Sequence, residues 1–188
     1  MARPKSEDKR SAILAAATRV IASQGLGAPT ATIASEAGVS NGSLFTYFPT
    51  KADLLNHLYL ELKGEMATAA LGDVSAASNV REPLLALWTQ WLHWAVASPE
   101  KRRALAHLAV SDDITPASRE AGHQAMAGIA KLLDRSRGGG PLCDAPLGFV
   151  LALMNALADT TVDFMIQDPG HAEDHCRVSF DALWRMVS

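Results

Sequence analysis

Cysteine is scarce in this chain of 188 residues: only Cys143 and Cys176 occur, far apart and in no spacing typical of metal ligands. We therefore expect two free thiols rather than a disulfide framework. No run of 18 or more apolar residues is present, which predicts that no helix spans a membrane. The first ten residues are polar and lack the apolar core of a secretory signal, so we expect a cytoplasmic globular protein.

Enzyme motifs are also missing from the sequence. It contains no glycine-rich phosphate loop after a strand, no nucleophile elbow and no metalloprotease helix. Glu100, Asp112 and Asp113 stand at predicted helix ends, where capping explains them. His171 and His175 have the i, i+4 spacing that presents two imidazoles on one helix face, but the acidic residues around them favour a solvent-exposed helix start. The sequence predicts no catalytic site, no cofactor and no metal site.

The alternating pattern of β-strands is absent as well, and the residue mix favours helix formers such as alanine, leucine and glutamate. The sequence therefore predicts an all-α fold. Gly64 lies within the fourth helix and is predicted to be a soft spot between two domains. Clusters of glycine, proline and serine divide the chain into helices at about residues 7–23, 30–37, 41–48, 51–71, 81–97, 99–110, 115–135, 146–167 and 172–187.

Residues 33–48 carry the most informative pattern of the chain. Gly38 follows a short helix, at a position where a left-handed cap favours glycine. Ser40 is a natural N-cap for the next helix, in which Leu44 and Phe48 are spaced to face inward. The side chains left outside are polar, namely Asn41, Ser43, Thr46 and Tyr47. This is the layout of a helix-turn-helix, whose second helix enters the DNA major groove.

The net charge of −3 is unevenly distributed along the chain. Residues 1–63 hold seven basic and five acidic side chains, a net charge of +2, whereas the remainder holds ten basic and fifteen acidic ones, a net charge of −5. Because attraction to phosphate dominates non-specific DNA affinity, this asymmetry agrees with an N-terminal end that faces DNA.

The motifs of this region, in their order and near the start of the chain, resemble the TetR family of transcriptional regulators. The resemblance covers roughly residues 9–60 and rests on Ile33-Ala34, Ala37-Gly38-Val39-Ser40, Gly42-Ser43-Leu44, Tyr47-Phe48, Lys51 and Leu54-Leu55. It implies an N-terminal three-helix DNA-binding domain at residues 1–50, with the helix-turn-helix at about residues 30–48. It also implies a C-terminal helical bundle for ligand binding and dimerisation at residues 51–188.

The resemblance further implies which side chains contact DNA. The phosphate and base contacts of the family map onto Thr30, Ser40, Asn41, Gly42, Ser43, Phe45, Thr46, Tyr47 and Lys51. The alternative to a phosphate contact is that Lys51 is an ordinary surface charge exposed to solvent. Family members often have tyrosine where Phe45 stands and arginine where Ala31 stands. Since no arginine lies between Arg19 and Arg81, selectivity rests on polar side chains, methyl contacts and DNA shape rather than on arginine–guanine pairs.

The last two helices are expected to join two copies of the chain into a homodimer on a two-fold operator. Residues 147–159 are apolar nearly all round, which is typical of a helix buried on several faces, although the core of a monomer explains the same pattern. The final helix adds the apolar side chains of Val178, Phe180, Leu183, Trp184 and Val187.

An effector cavity is expected in the C-terminal bundle. Asp159 and Asp163 form the most suggestive polar pair, facing a pocket, an interface or solvent. By resemblance, the chain is a repressor that an unknown small-molecule effector releases from double-stranded operator DNA. The alternative is a helical dimeric adaptor or ligand-binding protein whose helix-turn-helix is degenerate and has no operator. The candidate lining residues, each of which also fits an ordinary core position, are Trp88, Trp91, His107, Met126 and Met154.

Overall fold

The computed structural model describes residues 5–72 and 79–188, and within these ranges it contains helices and no β-strand. The all-α prediction is confirmed, and most helix limits fall within two residues of the predicted ones. A short 3-10 helix, Pro169–His171, precedes the last helix. The α-helices are α1 (Lys5–Gln24), α2 (Thr30–Glu36), α3 (Asn41–Tyr47), α4 (Lys51–Leu71), α5 (Arg81–Ala97), α6 (Pro99–Ala109), α7 (Pro116–Ala125), α8 (Ala127–Arg135), α9 (Leu147–Gln167) and α10 (Ala172–Val187).

The chain divides into two compact units, each built from two stretches of sequence. The first unit comprises the described parts of residues 1–64 and 98–124, and the second comprises those of residues 65–97 and 125–188. The first boundary falls directly after Gly64, so α4 contributes its first turns to one unit and its last turns to the other. The predicted division after residue 50 concerns the roles of the two segments and stays a prediction.

One predicted helix is in fact two helices. The sequence predicted a continuous helix over residues 115–135, whereas α7 ends at Ala125 and α8 begins at Ala127. Met126 between them has φ −92° and ψ 2°, which lies outside the α-helical region and ends the helical hydrogen-bond ladder. Methionine and alanine are good helix formers, so no residue type marks the break. The break coincides with the boundary between the two compact units, which falls between Gln124 and Ala125.

The core of the first unit gathers apolar side chains from the first four helices. α1 packs against α2 and α6, and α2 packs against α3. Each of the buried side chains stabilises the unit by about 1.5–3 kcal/mol relative to an exposed position. The inward positions predicted for Leu44 and Phe48 are confirmed. The side chains that are almost completely buried here include Ile13, Leu14, Ile21, Ile33, Leu44, Phe48, Leu54, Leu55 and Leu58.

The second unit is organised around α5 and α9. α9 packs against α5, α8 and α10. Trp88 of α5 is completely buried, and its Nε1 donates to Ser179 Oγ of α10 at 3.2 Å, so the polar end of the indole has a partner. Trp91 meets Trp88 edge-on, with ring centroids 5.9 Å apart. The two cysteines are free, as expected: Cys143 is exposed and Cys176 is buried.

Among the described residues, α9 is one helix long and apolar enough to cross a membrane by length and composition. The expectation that no helix spans a membrane rested on the absence of an uninterrupted apolar run, and it stays a prediction. Polar residues such as Asn155 interrupt the apolar run without lowering its average far. A core helix in a soluble protein has the same composition, so a single helix of this kind is weak evidence for a membrane.

Candidate nucleic-acid interface

The turn between α2 and α3 has the hydrogen bonds of a Schellman motif. Gly38 adopts φ +68°, and its amide donates to the Ser35 carbonyl at 3.1 Å. The Val39 amide donates to the Ala34 carbonyl at 3.0 Å. These two bonds satisfy carbonyls that the end of α2 leaves without helical partners. Because an L side chain is strained at this φ, the turn favours glycine at residue 38, which confirms the predicted cap.

Ser40 caps the start of α3, as the sequence predicted. Its Oγ accepts from the Ser43 amide at 3.1 Å, and its hydroxyl donates to Ser43 Oγ at 3.0 Å. Leu44, one turn further along, is completely buried. This anchor fixes the rotation of α3 about its axis, so the opposite face of the helix is the one presented outward.

The outward face of α3 carries the side chains that the sequence predicted to contact DNA. Phe45 exposes 39% of its surface, in a position suited to thymine methyl groups. The Thr46 hydroxyl donates to the Gly42 carbonyl at 3.2 Å, which leaves its oxygen free to accept and its methyl group free to make apolar contacts. Of the nine predicted contacts, those exposed are Ser40, Asn41, Gly42, Phe45 and Thr46, whereas those partly buried are Thr30, Ser43, Tyr47 and Lys51.

Lys51 makes contacts that no sequence pattern predicted. Its Nζ donates to the Leu26 carbonyl at 2.6 Å and to the Ala28 carbonyl at 2.8 Å. Both carbonyls belong to the loop between α1 and α2, and a backbone carbonyl has no residue-specific signature. An ammonium has three donors, so these bonds use two of them. The predicted phosphate contact of Lys51 stays a prediction.

A capping box fixes the first turn of α4, where Lys51 lies. Thr50 Oγ1 accepts from the Asp53 amide at 3.0 Å, and Asp53 Oδ2 accepts from the Thr50 amide at 3.0 Å. Asp53 Oδ2 also accepts from the Thr50 hydroxyl at 2.8 Å. The box therefore sets the position from which the Lys51 side chain reaches the loop.

Other cations of the first unit hold different positions. Arg19 Nε lies 2.8 Å from Glu36 Oε1, in an exposed ion pair that joins α1 to α2. The Arg10 guanidinium lies over the ring of Phe48, 5.4 Å from its centroid, and so stands beside the end of α3. Burial lowers the pKa of Lys63. Arg10 is thus a basic side chain of the folded helix α1 that lies beside the end of α3. The polar N-terminal sequence does not reveal this placement.

The first unit also ties α4 to the loop between α6 and α7. Asn56 Nδ2 donates to the Asp113 carbonyl at 2.8 Å, and Asn56 Oδ1 accepts from the Thr115 amide at 2.9 Å. Arg119 of α7 donates to the carbonyls of Ala109 and Ser111 at 2.8 and 2.7 Å. Side chains therefore pair with backbone groups at the end of α6 and in the loop that follows.

Gly122 permits a close approach between α7 and α4. A Cβ added at this position would lie 2.8 Å from Tyr59 Cε1, which is closer than carbon atoms pack. Burial raises the pKa of Tyr59. α6 and α7 are therefore part of the same unit as the helix-turn-helix, although α5 separates them in the sequence.

The five side chains predicted to line an effector cavity do not all belong to one unit. Trp88, Trp91 and Met154 are buried in the second unit, and Met126 directly precedes α8. His107 is exposed on α6 of the first unit. A role in ligand binding stays a prediction for all five.

An exposed acidic residue joins two histidines at the start of α10. Asp168 Oδ2 lies 3.1 Å from His171 Nδ1 and 3.3 Å from His175 Nε2. Hydrogen bonds from the imidazoles hold the pKa of Asp168 below its usual range, and the carboxylate raises the pKa of His171. Within the described part of the chain, no group of three His, Cys, Asp or Glu side chains has an arrangement suited to a metal ion.

Comparison with known proteins places this geometry in a family. A family model described as "Bacterial regulatory proteins, tetR family" matches residues 13–58, which extend from α1 into α4. A solved TetR-family transcription regulator from Shewanella sp. PV-4 is 30% identical, with a TM-score of 0.83 over 94% of this chain and 96% of that chain. The likeness therefore extends beyond residues 9–60 to nearly the whole of both chains.

Two further structures share the fold at lower identity. A TetR-family transcription regulator from Marinobacter aquaeolei VT8 is 23% identical, with a TM-score of 0.86 over 99% of this chain and 98% of that chain. The transcriptional regulator FadR from Bacillus subtilis, solved in complex with stearoyl-CoA, is 20% identical, with a TM-score of 0.68 over 95% of this chain and 97% of that chain. The protein belongs to the TetR family of bacterial transcription regulators.

Proposed function

We propose that this TetR-family regulator is a sequence-specific repressor, which binds double-stranded operator DNA as a cytoplasmic homodimer and is released by a small-molecule effector. The observation that carries the proposal is the exposed face of α3. The turn at Gly38, the cap at Ser40 and the buried Leu44 hold this short helix in one orientation. A helix so held presents the same side chains to every DNA site that it meets.

Base recognition falls to amide, hydroxyl and apolar side chains. Asparagine pairs best with adenine, and the methyl group of threonine and the ring of phenylalanine suit the methyl group of thymine. Asn41, Phe45 and Thr46 are the exposed side chains of α3 with these properties. We therefore expect α3 to meet A·T pairs within each half-site, with DNA shape contributing to the rest of the specificity.

The homodimer is proposed to form through α9 and α10. Exposed apolar surface concentrated on two packed helices is typical of a protein interface. Among the apolar side chains predicted on the final helix, Phe180, Leu183 and Val187 are buried inside the unit. The large apolar side chains of the two helices that remain about half exposed or more are Phe149, Phe164, Ile166 and Val178.

The effector is proposed to bind the second unit and to have a large apolar portion. Trp88, Trp91 and Met154 supply an apolar interior there. The Bacillus subtilis FadR, whose fold is similar, was solved with stearoyl-CoA, a ligand with a long acyl chain. Release requires the effector to bind better to a second state of the dimer. In that state the distance between the two DNA-binding domains no longer matches half-sites about 34–36 Å apart. α4 contributes residues to both units. It is therefore the helix through which a conformational change in the second unit would reach the helix-turn-helix.

Selection of bound sequences from random duplex DNA tests this proposal. We expect the full-length protein to enrich a palindromic site with half-sites about one helical turn apart. We also expect its affinity to fall steeply as salt rises, because each neutralised phosphate releases counterions. Absence of enrichment at low salt would contradict the proposal and favour the dimeric adaptor with a degenerate helix-turn-helix.

A further inference from the structure

The start of α2 has no side-chain cap of its own. Pro29 occupies the N-cap position and makes no side-chain hydrogen bond to the helix, whereas α3 begins with the Ser40 cap and α4 with the Thr50–Asp53 box. The loop before Pro29 leaves α1 at Gly25, which adopts φ +74°. Its conformation therefore decides where α2 begins and where Thr30, a predicted phosphate contact, is placed.

Lys51 is the side chain that reaches this loop. Its ammonium bonds the carbonyls of Leu26 and Ala28, which lie 25 and 23 residues earlier in the chain. Ala28 is itself 4% exposed, so its backbone lies at a buried position. Hydrogen bonds from a charged donor to such carbonyls are stronger than those between neutral groups. The side chain therefore links the α1–α2 loop to the junction where α3 ends and α4 begins.

The position of Lys51 in α4 supports a structural purpose. A cation in the first turn of a helix is opposed by the helix dipole, which favours acidic residues there. Two carbonyl oxygens at 2.6 and 2.8 Å offset this penalty within the folded protein, without any DNA. The half-buried ammonium is consequently directed into the protein, with two of its three donors in use.

We propose that Lys51 acts in DNA binding as a positioning residue: it braces the α1–α2 loop and thereby sets the N-terminus of α2 and the orientation of the helix-turn-helix, rather than binding DNA mainly as a phosphate-contacting charge. The inference rests on the proposed function, since it concerns how the same surface binds operator DNA. It goes beyond that function by attributing the effect of Lys51 on DNA binding to the conformation of the α1–α2 loop and the helix-turn-helix.

Two measurements on the full chain separate the two roles. Lys51→Met keeps most of the side-chain stem and removes the donors, and Lys9→Met is a matched control that removes one charge from an exposed lysine of α1. The first measurement is amide hydrogen exchange of residues 25–30 without DNA. The second is affinity for the selected operator across a range of salt concentrations.

Lys51→Met is expected to speed exchange in residues 25–30 by about tenfold or more and to weaken operator binding by about tenfold. The slope of log affinity against log salt should stay within about 0.3 of the wild-type slope, because no phosphate contact is lost. Lys9→Met should leave exchange in residues 25–30 unchanged.

Three results would overturn the inference. One is unchanged exchange in residues 25–30 of Lys51→Met. Another is unchanged operator affinity. The third is a slope reduced by about 0.9, the value for one phosphate contact on duplex DNA, whatever the exchange result. If the wild-type protein selects no DNA site, the proposed function fails, and hydrogen exchange alone then decides whether Lys51 braces the loop.

Discussion

The two units differ in what most of their described long-range hydrogen bonds join. In the first unit, Lys51 and Asn56 reach backbone groups of distant loops, beside one exposed side-chain pair, Arg19–Glu36. In the second unit, the bonds between α5 and α10 join one side chain to another, as in Trp88–Ser179, His93–Glu173 and Arg81–Asp181.

This difference has a physical consequence for each unit. A side chain that satisfies a backbone group fixes the conformation of a loop, and losing it leaves that group without its partner. The His93–Glu173 and Arg81–Asp181 pairs are exposed and can separate and be hydrated with little cost to the fold, whereas the Trp88–Ser179 bond is buried. On the proposed function, the first unit is suited to holding one shape for reading DNA, and the exposed pairs of the second unit allow α5 and α10 to adjust when a ligand binds.

The largest effect is expected when a side-chain-to-backbone contact of the first unit is removed. Asn56→Ala removes the hydrogen bonds with the Asp113 carbonyl and the Thr115 amide, each of which contributes about 0.5–1.5 kcal/mol to the unfolding free energy. Asn56→Asp keeps an acceptor for Thr115 and loses only the donor, so its stability should lie between those of the other two proteins. Urea unfolding followed by circular dichroism measures the series. A cost below about 0.5 kcal/mol for Asn56→Ala would show that these contacts do not hold the first unit together.

A smaller effect is expected at the turn of the helix-turn-helix. Gly38→Ala places a Cβ at φ +68°, which costs about 1–2 kcal/mol of unfolding free energy. Gly42→Ala is the matched control, because its added Cβ would lie 4.0 Å from Ser40 Oγ, an ordinary contact distance, and should leave stability unchanged or slightly raised.

Operator affinity completes the glycine comparison. Since Gly42 lies on the exposed face of α3, its substitution is expected to weaken operator binding without loss of stability. Thermal unfolding and operator titration of both variants separate the two effects. Equal stability of the two variants would argue against a strained turn at residue 38.

A still smaller effect is expected at the ion pairs of the second unit. Arg81 and Asp181 are both more than a third exposed, so their coupling should not exceed about 1 kcal/mol. Arg81 also lies over the Phe180 ring, 5.2 Å from its centroid, which makes a double-mutant cycle of Arg81→Ala and Asp181→Ala necessary to isolate the pair. A coupling energy between Arg81 and Asp181 well above about 1 kcal/mol would show that an exposed pair of the second unit stabilises the fold as much as the side-chain-to-backbone bonds of the first unit do.

The smallest effect is expected at the exposed Asp168–His171 pair. Because the pKa of His171 is raised in the folded protein, its protonation stabilises the fold. This stabilisation is fully present below the ordinary pKa of about 6.5 and is lost as pH rises through the pKa of the folded protein. Because the pKa of Asp168 is lowered in the folded protein, its ionised carboxylate also stabilises the fold. This stabilisation is present above the ordinary pKa of a carboxyl group and is lost as pH falls through the pKa of the folded protein. Asp168→Asn should therefore lower the pKa of His171 in an NMR titration. An unchanged pKa would show that the carboxylate is not its cause.

Sequence predicted the local elements well because their signals are local. Gly38 and Ser40 are the residue types that a left-handed cap and an N-cap require, and both caps form. The break at Met126 was missed because its residue types favour helix, and the unit boundary beside it has no local sequence signal. The Lys51 and Asn56 contacts were missed because their partners are backbone groups, which any residue provides.

The site is therefore less predictable than the fold in specific ways. The exposed positions of Asn41, Phe45 and Thr46 follow from the buried Leu44, which the spacing predicted. The association of α6 and α7 with the first unit does not follow from the sequence, because it depends on the close approach at Gly122 and on contacts that cross 50 or more residues.

The most direct test of the account is the base preference of Thr46→Ala, measured by sequencing the DNA that the variant selects beside that of the wild type. Ser35→Ala, on the exposed side of α2, is the control. If α3 reads DNA with the face described, Thr46→Ala relaxes discrimination at one or two positions of each half-site, while Ser35→Ala keeps the wild-type preference. An unchanged preference for Thr46→Ala would mean that this face of α3 does not read the operator.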